Sequence, residues 1–281
     1  MQNMVDERFE FAAMIFRLAG RPEYSSPDFG AYNTDYHKEV AKTFAPFAAH
    51  ETVGYAKKLS FGYGKVFKFT VHIEKKNGEF VFINDITSLY DGNWNEQNSA
   101  TFLKLFNSFY VDTNYKDFYN SHIDLFEQSS KIFIDDVYSK IDFSWFGKYI
   151  DPANLRCIYS LSCGNYAETV NNKFIYCLVM GSNAPVIHEY CHSFANPIAN
   201  KWYNENLEFR KWCDESVNTK KLPFYNTGIA MANEYVTRAF NVLYEVQHGA
   251  QLGEWLSKER NYQYKDSFKY IDQVYDMVIK I

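Results

Sequence analysis

The sequence predicts an α+β fold, mostly helical, with a small sheet over one histidine-bearing helix. Three observations predict it. Apolar residues recur at helical spacing over much of the chain. Two stretches, about residues 65–83 and 155–180, are instead rich in β-branched and aromatic residues. Directly after the second lies Ser182-Asn183-Ala184-Pro185-Val186-Ile187-His188-Glu189-Tyr190-Cys191-His192-Ser193-Phe194, which carries its own helix signals. At 281 residues the chain can hold one large domain or two small ones around a sizeable core. The division read from it is a mainly helical region with a β-hairpin over 1–120 and a second region over 121–281, or one continuous unit of both.

In chain order, Asp6 to Leu18 reads as an amphipathic helix with Phe9, Ala12, Ala13 and Phe16 on one face and Gly20 as its stop. Arg21 to Pro27 is turn-rich, and a second helix runs from about Asp35 to Ala45. Val66 to Ile73 alternates and reads as a strand, Lys76-Asn77-Gly78-Glu79 as a hairpin turn, and Phe80 to Ile83 as the return. Asp91-Gly92-Asn93 marks a turn before a helix over about 96–110. Residues 121–149 read as one or two helices, with Ile123, Phe126, Ser130, Phe133 and Val137 at helical spacing. Leu155 to Leu161 and Lys173 to Met180 read as strands, separated by a turn or irregular edge at Cys163 to Tyr166. Further helices are expected over about 198–217, over Ile229 to His248 with Gly249 as the stop, and over about 265–281.

Composition narrows the function classes. The formal net charge is −5 and no long basic run occurs, which gives nucleic-acid or anionic-membrane binding no support. No apolar run approaches the length of a membrane span. The five cysteines form no Cys-x-x-Cys pair, and their odd number leaves at least one free thiol. Together with an N-terminus that lacks a basic region followed by an apolar one, this reads as a cytoplasmic chain as given, or as a secreted or periplasmic one trimmed of its leader. Aromatics make up 19% of residues, which points first to an aromatic core and second to a peptide- or glycan-binding surface.

The chemistry concentrates in His188-Glu189-Tyr190-Cys191-His192. On a helix, residues four apart project from one face, so two imidazoles can take two corners of a tetrahedral Zn²⁺ site. Glu189 flanks that site and can take a proton from metal-bound water. Ser182 or Asn183 is the expected N-cap, Pro185 falls in the first turn, and Pro197 is expected to end or kink the helix. The competing reading is two surface histidines with a solvated Glu.

A third protein ligand is needed. A third histidine six residues on is excluded, because Ala195 and Ile198 occupy the positions of the Gly and His in that longer motif. Among Glu205, Glu208, Asp214, Glu215, Glu234 and Glu245, the choice falls on Glu234, in a run where Ala230 and Ala232 allow close helix approach. Arg238, one turn on, can hold the Glu234 carboxylate or meet a substrate carboxylate. Glu208 and Glu215 are the fallback ligands. His248, fourteen residues beyond Glu234, would lie about 21 Å along an unbroken helix and out of reach. Tyr225, then Tyr235 or Arg238, are the candidate donors to a developing oxyanion. Gly164, Asn165 and Tyr166 are the candidate substrate-binding edge, since an exposed sheet edge can hold an extended peptide. His37, His50 and His72 read as surface or packing histidines, and Cys191 as a thiol packed behind the histidine face.

His188-Glu189-x-x-His192 with a downstream Asn233-Glu234 helix resembles the gluzincin metallopeptidases. Three longer pieces are similar to a bacterial group known only as a domain of unknown function: Phe11 to Tyr24, Gly164-Asn165-Tyr166, and His188 to Pro197. The chain departs from the one-domain aminopeptidase pattern at Lys211, where a Glu would fall. The resemblance implies a zincin-like fold, zinc held by His188, His192 and Glu234, Glu189 as base, a peptide or protein substrate, and export from the cell. The function expected is zinc-dependent peptide hydrolysis. The alternative is a zinc-binding protein that holds peptides or glycans without cleaving them, and a cysteine hydrolase built on Cys191 ranks below both.

Overall fold

Eight successive residues of the first helix, Phe9 to Phe16, are buried, so their surroundings enclose this helix on every side. The computed structural model describes residues 4–25, 34–59, 61–181, 185–218, 220–222 and 225–281. It is α+β, mostly helical with two small sheets. Among the described residues, no helix is long and apolar enough to cross a membrane. The chain forms two units, one of residues 1–141 and 153–186, the other of residues 142–152 and 187–281. The boundary therefore lies near residue 186 and not near 120, because the strands after residue 153 pair and pack with the N-terminal helices.

In the first unit α1 spans Glu7–Leu18, with Asp6 as N-cap accepting from the Arg8 N–H. It is followed by α2 (Pro22–Ser25), α3 (Asp35–Phe44), α4 (Glu51–Leu59) and α5 (Tyr63–Val71). Strands β1 (Ile73–Lys76) and β2 (Glu79–Phe82) then pair antiparallel across Asn77 and Gly78, both at positive φ as a tight hairpin turn requires. Helices α6 (Glu96–Asp112), α7 (Tyr115–Ser121) and α8 (Ile123–Asp136) come next. Strands β3 (Leu155–Tyr159), β4 (Tyr166–Val170) and β5 (Phe174–Val179) form a sheet in the order β3-β5-β4. The β3–β5 pair is parallel and the β4–β5 pair antiparallel. The aromatic residues build the core here. Phe11 alone packs against Phe80, Phe106, Phe109, Tyr110 and Tyr115, with ring centroids 4.5–6.4 Å apart.

Several elements differ from the sequence expectation, each for a physical reason. The expected strand over Val66 to Ile73 is mainly helix α5. Lys68, Thr70 and His72 alternate with Phe67, Phe69, Val71 and Ile73, which mimics a strand's period of two, but these polar residues are buried with the rest and the alternation marks no solvent face. Strand β4 replaces the expected irregular edge at Tyr166. Its turn signal is Asn171-Asn172, both at positive φ. Helix α4 went unread because Gly54 interrupts a short pattern.

In the second unit, α9 (Phe143–Phe146) and α10 (Val186–Glu205) precede α11 (Leu207–Ser216), α12 (Gly228–Gln247), α13 (Leu252–Arg260) and α14 (Ile271–Val278). Pro185 sits just before α10 and not in its first turn, and the expected caps Ser182 and Asn183 lie outside the described residues. Pro197 does not end α10. It lies exposed on a helix that continues to Glu205. The single helix expected over 198–217 is instead two. Asn206 breaks it and caps α11, its Oδ1 accepting from the Glu208 and Phe209 N–H groups at 3.0 Å. Helix α12 packs on α11, α13 and α14. A Cβ on its first residue, Gly228, would lie 1.8 Å from Asp214 Oδ1, so a larger residue there requires the Asp214 side chain to move.

A carboxylate is buried inside the first unit. Glu10, on α1, accepts from Ser160 Oγ at 2.9 Å, Leu161 N–H at 3.0 Å and Ser162 Oγ at 2.6 Å, and Tyr36 Oη lies at 3.4 Å. It ties α1 to the segment after β3. Burial raises its pKa, and the donors oppose that rise without cancelling it. Because the folded protein holds this proton more tightly than the unfolded chain does, Glu10 favours folding less as pH climbs above its unfolded value. Glu10→Ala leaves two hydroxyls and an N–H without their acceptor and is expected to lower stability by about 2–4 kcal/mol in chemical denaturation. Glu10→Gln is expected to gain stability relative to wild type as pH rises from about 4.5 to about 7.

Candidate metal centre

Helix α10 places His188 and His192 on one face, and α12 brings Glu234 to them from the distant C-terminal sequence. The two Nε2 atoms are 3.2 Å apart. Glu234 Oε1 is 3.3 Å from His192 Nε2, and Glu234 Oε2 is 3.6 Å from His188 Nε2. Ligands at about 2.0–2.1 Å from a tetrahedral metal stand about 3.3 Å from one another, which the histidine pair matches. Each Glu234 oxygen faces one imidazole, and with one ligand atom taken from each residue the three lie within 4.8 Å of one another. These three side chains are the group of potential ligands that converges among the described residues. Glu208 and Glu215, the fallback ligands, do not join it, and Glu215 instead accepts from the Tyr270 hydroxyl.

The surroundings prepare each donor. The side chains of His188, His192 and Glu234 are only 10–17% exposed. Burial pushes His188 down to about 3, which leaves it neutral, the form that binds a metal. His192 Nδ1 lies 3.0 Å from Asn196 Oδ1 and 3.1 Å from Thr237 Oγ1. Donation from Nδ1–H to Asn196 fixes the ring and aims Nε2 at Glu234, to which it donates when protonated. Burial disfavours the His192 cation, but the Glu234 carboxylate outweighs it and lifts His192 to about 9. Glu234 is likewise buried, yet its hydrogen bond with His192 and the adjacent Arg238 charge hold it well below the usual carboxylate range. Glu234 Oε2 lies 3.2 Å from Arg238 Nη2 at ion-pair distance, but receives no well-aligned hydrogen bond. A buried carboxylate oxygen with a lone pair to spare, beside two imidazole nitrogens, fits a divalent metal.

Glu189, next to His188, is 7% exposed and does not join the triangle. Burial lifts it to about 7; the His192 charge opposes that rise and the Glu234 charge adds to it. A carboxylate tuned to that range is suited to moving protons near neutral pH.

The other expected site residues fall in different places. Tyr225, on the loop before α12, is half-buried and within electrostatic reach of Glu234 and Arg238. Burial and the Glu234 carboxylate push its phenol well up, which keeps the hydroxyl a donor. Tyr235 instead turns its hydroxyl to Ser216 Oγ at 2.8 Å. Arg238 is 3% exposed, with its guanidinium between Glu234 and Glu259, so it serves the carboxylates and not a substrate. Gly164, Asn165 and Tyr166 belong to the first unit. Asn165 Oδ1 accepts from the Met180 N–H at 3.1 Å, and Tyr166 opens β4. His248 ends α12, its ring bonded to the Tyr244 carbonyl and to Asp142. Cys191 is buried and its thiol pushed well up, which suits packing and not nucleophilic attack.

Three supporting residues went unread in the sequence. Asn196 follows His192 by four and Thr237 follows Glu234 by three, so helical spacing could have flagged both. Glu259 reaches Arg238 from another helix, and no local pattern announces it.

Because His192 holds its proton up to about 9 and a metal must displace it, zinc binding is expected to release a proton below that pH. Zinc affinity in chelator competition should therefore strengthen about tenfold per unit from about pH 7 to about pH 8, and His192→Ala should abolish stoichiometric binding.

Comparison with known proteins returned no matching family model, no matching curated protein and no matching solved structure. The functional reading therefore rests on the geometry of His188, His192 and Glu234.

Proposed function

We propose that this chain is a zinc-dependent peptidase. The observation that carries the reading is the convergence of His188 Nε2, His192 Nε2 and the Glu234 carboxylate, within 4.8 Å of one another, with a buried Glu189 beside them. Zinc, when bound, acidifies a water molecule and polarises the scissile carbonyl. His188, His192 and Glu234 supply three ligands, and no fourth protein ligand joins them among the described residues. Three ligands and an open position favour catalysis over a closed structural site. The gluzincin resemblance of the motif points the same way.

Glu189 is the general base. It takes the proton from the attacking water and passes it to the leaving amine, which requires a carboxylate held near neutrality and shielded from bulk water. Tyr225 donates its hydroxyl to the oxyanion that develops on the carbonyl oxygen. Asn196 and Thr237 hold the His192 ring in its binding orientation. A non-catalytic zinc protein would have no use for a buried base at this position.

Metal analysis and peptide hydrolysis test the reading together. Purified chain should carry one zinc, and Glu189→Gln should keep the zinc while losing about 10²–10⁴-fold in kcat. Absence of stoichiometric metal, or undiminished hydrolysis by Glu189→Gln, contradicts it. Tyr225→Phe is expected to lower kcat about 10²-fold with KM little changed, as loss of a donor used only in the transition state does.

A further inference from the structure

The Arg238 guanidinium is buried and held on several sides. Its Nη1 donates to Glu259 Oε2 at 2.6 Å, and Nη2 lies 3.2 Å from Glu234 Oε2. Its central carbon stands 3.7 Å from the Tyr262 ring centre and 4.5 Å from that of Phe268. Glu259, on α13, is 4% exposed and accepts a second bond, from Asn241 Nδ2 at 3.1 Å. Glu234, Arg238 and Asn241 lie on one face of α12 at successive helical turns, so Glu259 closes a chain Glu234–Arg238–Glu259–Asn241.

An arginine with one carboxylate partner pairs with it through two parallel N–H···O bonds. Here Glu259 takes the short, aligned bond, and Glu234 receives only a looser contact. Glu234 Oε2 is thereby left with a lone pair for another partner. The charges agree. Glu234, Arg238 and Glu259 sum to −1, whereas Glu234 and Arg238 alone sum to zero and would offer a dication no net attraction.

We propose that Glu259 is a positioning residue for the metal centre: by engaging Arg238 from α13, it prevents Arg238 from capturing Glu234 and keeps the Glu234 carboxylate free to bind metal. This rests on the zinc reading of the triangle above. Glu259 touches neither the triangle nor a substrate and acts through Arg238.

The test measures zinc dissociation constants of the full chain by competition with a chromophoric chelator, with circular dichroism to establish folding. Glu259→Gln is expected to weaken zinc binding about 10–100-fold. Removing both partners, as Arg238→Met with Glu259→Leu, takes away the competing cation together with its restraint. A buried ion pair replaced by apolar residues of similar size is commonly tolerated. The double variant is expected to return to within about threefold of wild-type affinity, a rescue that a merely structural role for Glu259 does not produce. Wild-type affinity in folded Glu259→Gln overturns the proposal. If Glu259→Gln fails to fold, the double variant decides: near-wild-type affinity supports the proposal, and affinity lowered tenfold or more overturns it. Failure of the wild-type chain to bind zinc at all is the separate result that removes the zinc reading itself.

Discussion

A buried carboxylate in the second unit must be matched by charge or hydrogen bonds, and Glu234 meets that constraint with two imidazoles and a guanidinium. An unpaired anion at this depth would cost several kcal/mol. The constraint fixes much of its surroundings. Arg238 lies one turn along α12, Glu259 takes its aligned hydrogen bond, and Tyr262 and Phe268 cover the guanidinium. Without a metal, His192 takes up a proton and serves as the counter-ion. A metal held here would compete with that proton for the same nitrogen.

The first unit solves a related problem with hydrogen bonds alone. Glu10 sits in the middle of α1 and is held by hydroxyl and backbone donors. Burial wins there and its pKa rises, whereas the charges around Glu234 win in the second unit and its pKa falls. Two buried glutamates in one chain are thus driven in opposite directions by their partners, and only the one paired with cations stays firmly anionic.

How much could be read from the sequence depended on whether a pattern was local. His188 and His192 are one helical turn apart, and Glu234 stands one turn before Arg238, so helix geometry was enough to bring these positions forward. The hairpin at Asn77-Gly78 and the stop at Gly249 were legible because both need positive φ. Helix α5 reads as a strand because Lys68, Thr70 and His72 alternate with apolar residues, although all of them are buried. Pro197 signals an end or a kink, yet α10 runs past it to Glu205 with the proline at an exposed position. The unit boundary was misplaced because β3, β4 and β5 belong with helices far earlier in the chain. Glu259 left no trace in the sequence, since its partners lie about twenty residues away on another helix.

The central claim is that His188, His192 and Glu234 hold one zinc ion between α10 and α12. A crystal of the zinc-loaded chain, with diffraction recorded on both sides of the zinc absorption edge, tests it most directly. The account predicts a single strong anomalous peak about 2.0–2.2 Å from His188 Nε2, His192 Nε2 and a Glu234 carboxylate oxygen, with a fourth position open to solvent. No peak at that triangle, or a peak held by other side chains, would contradict it.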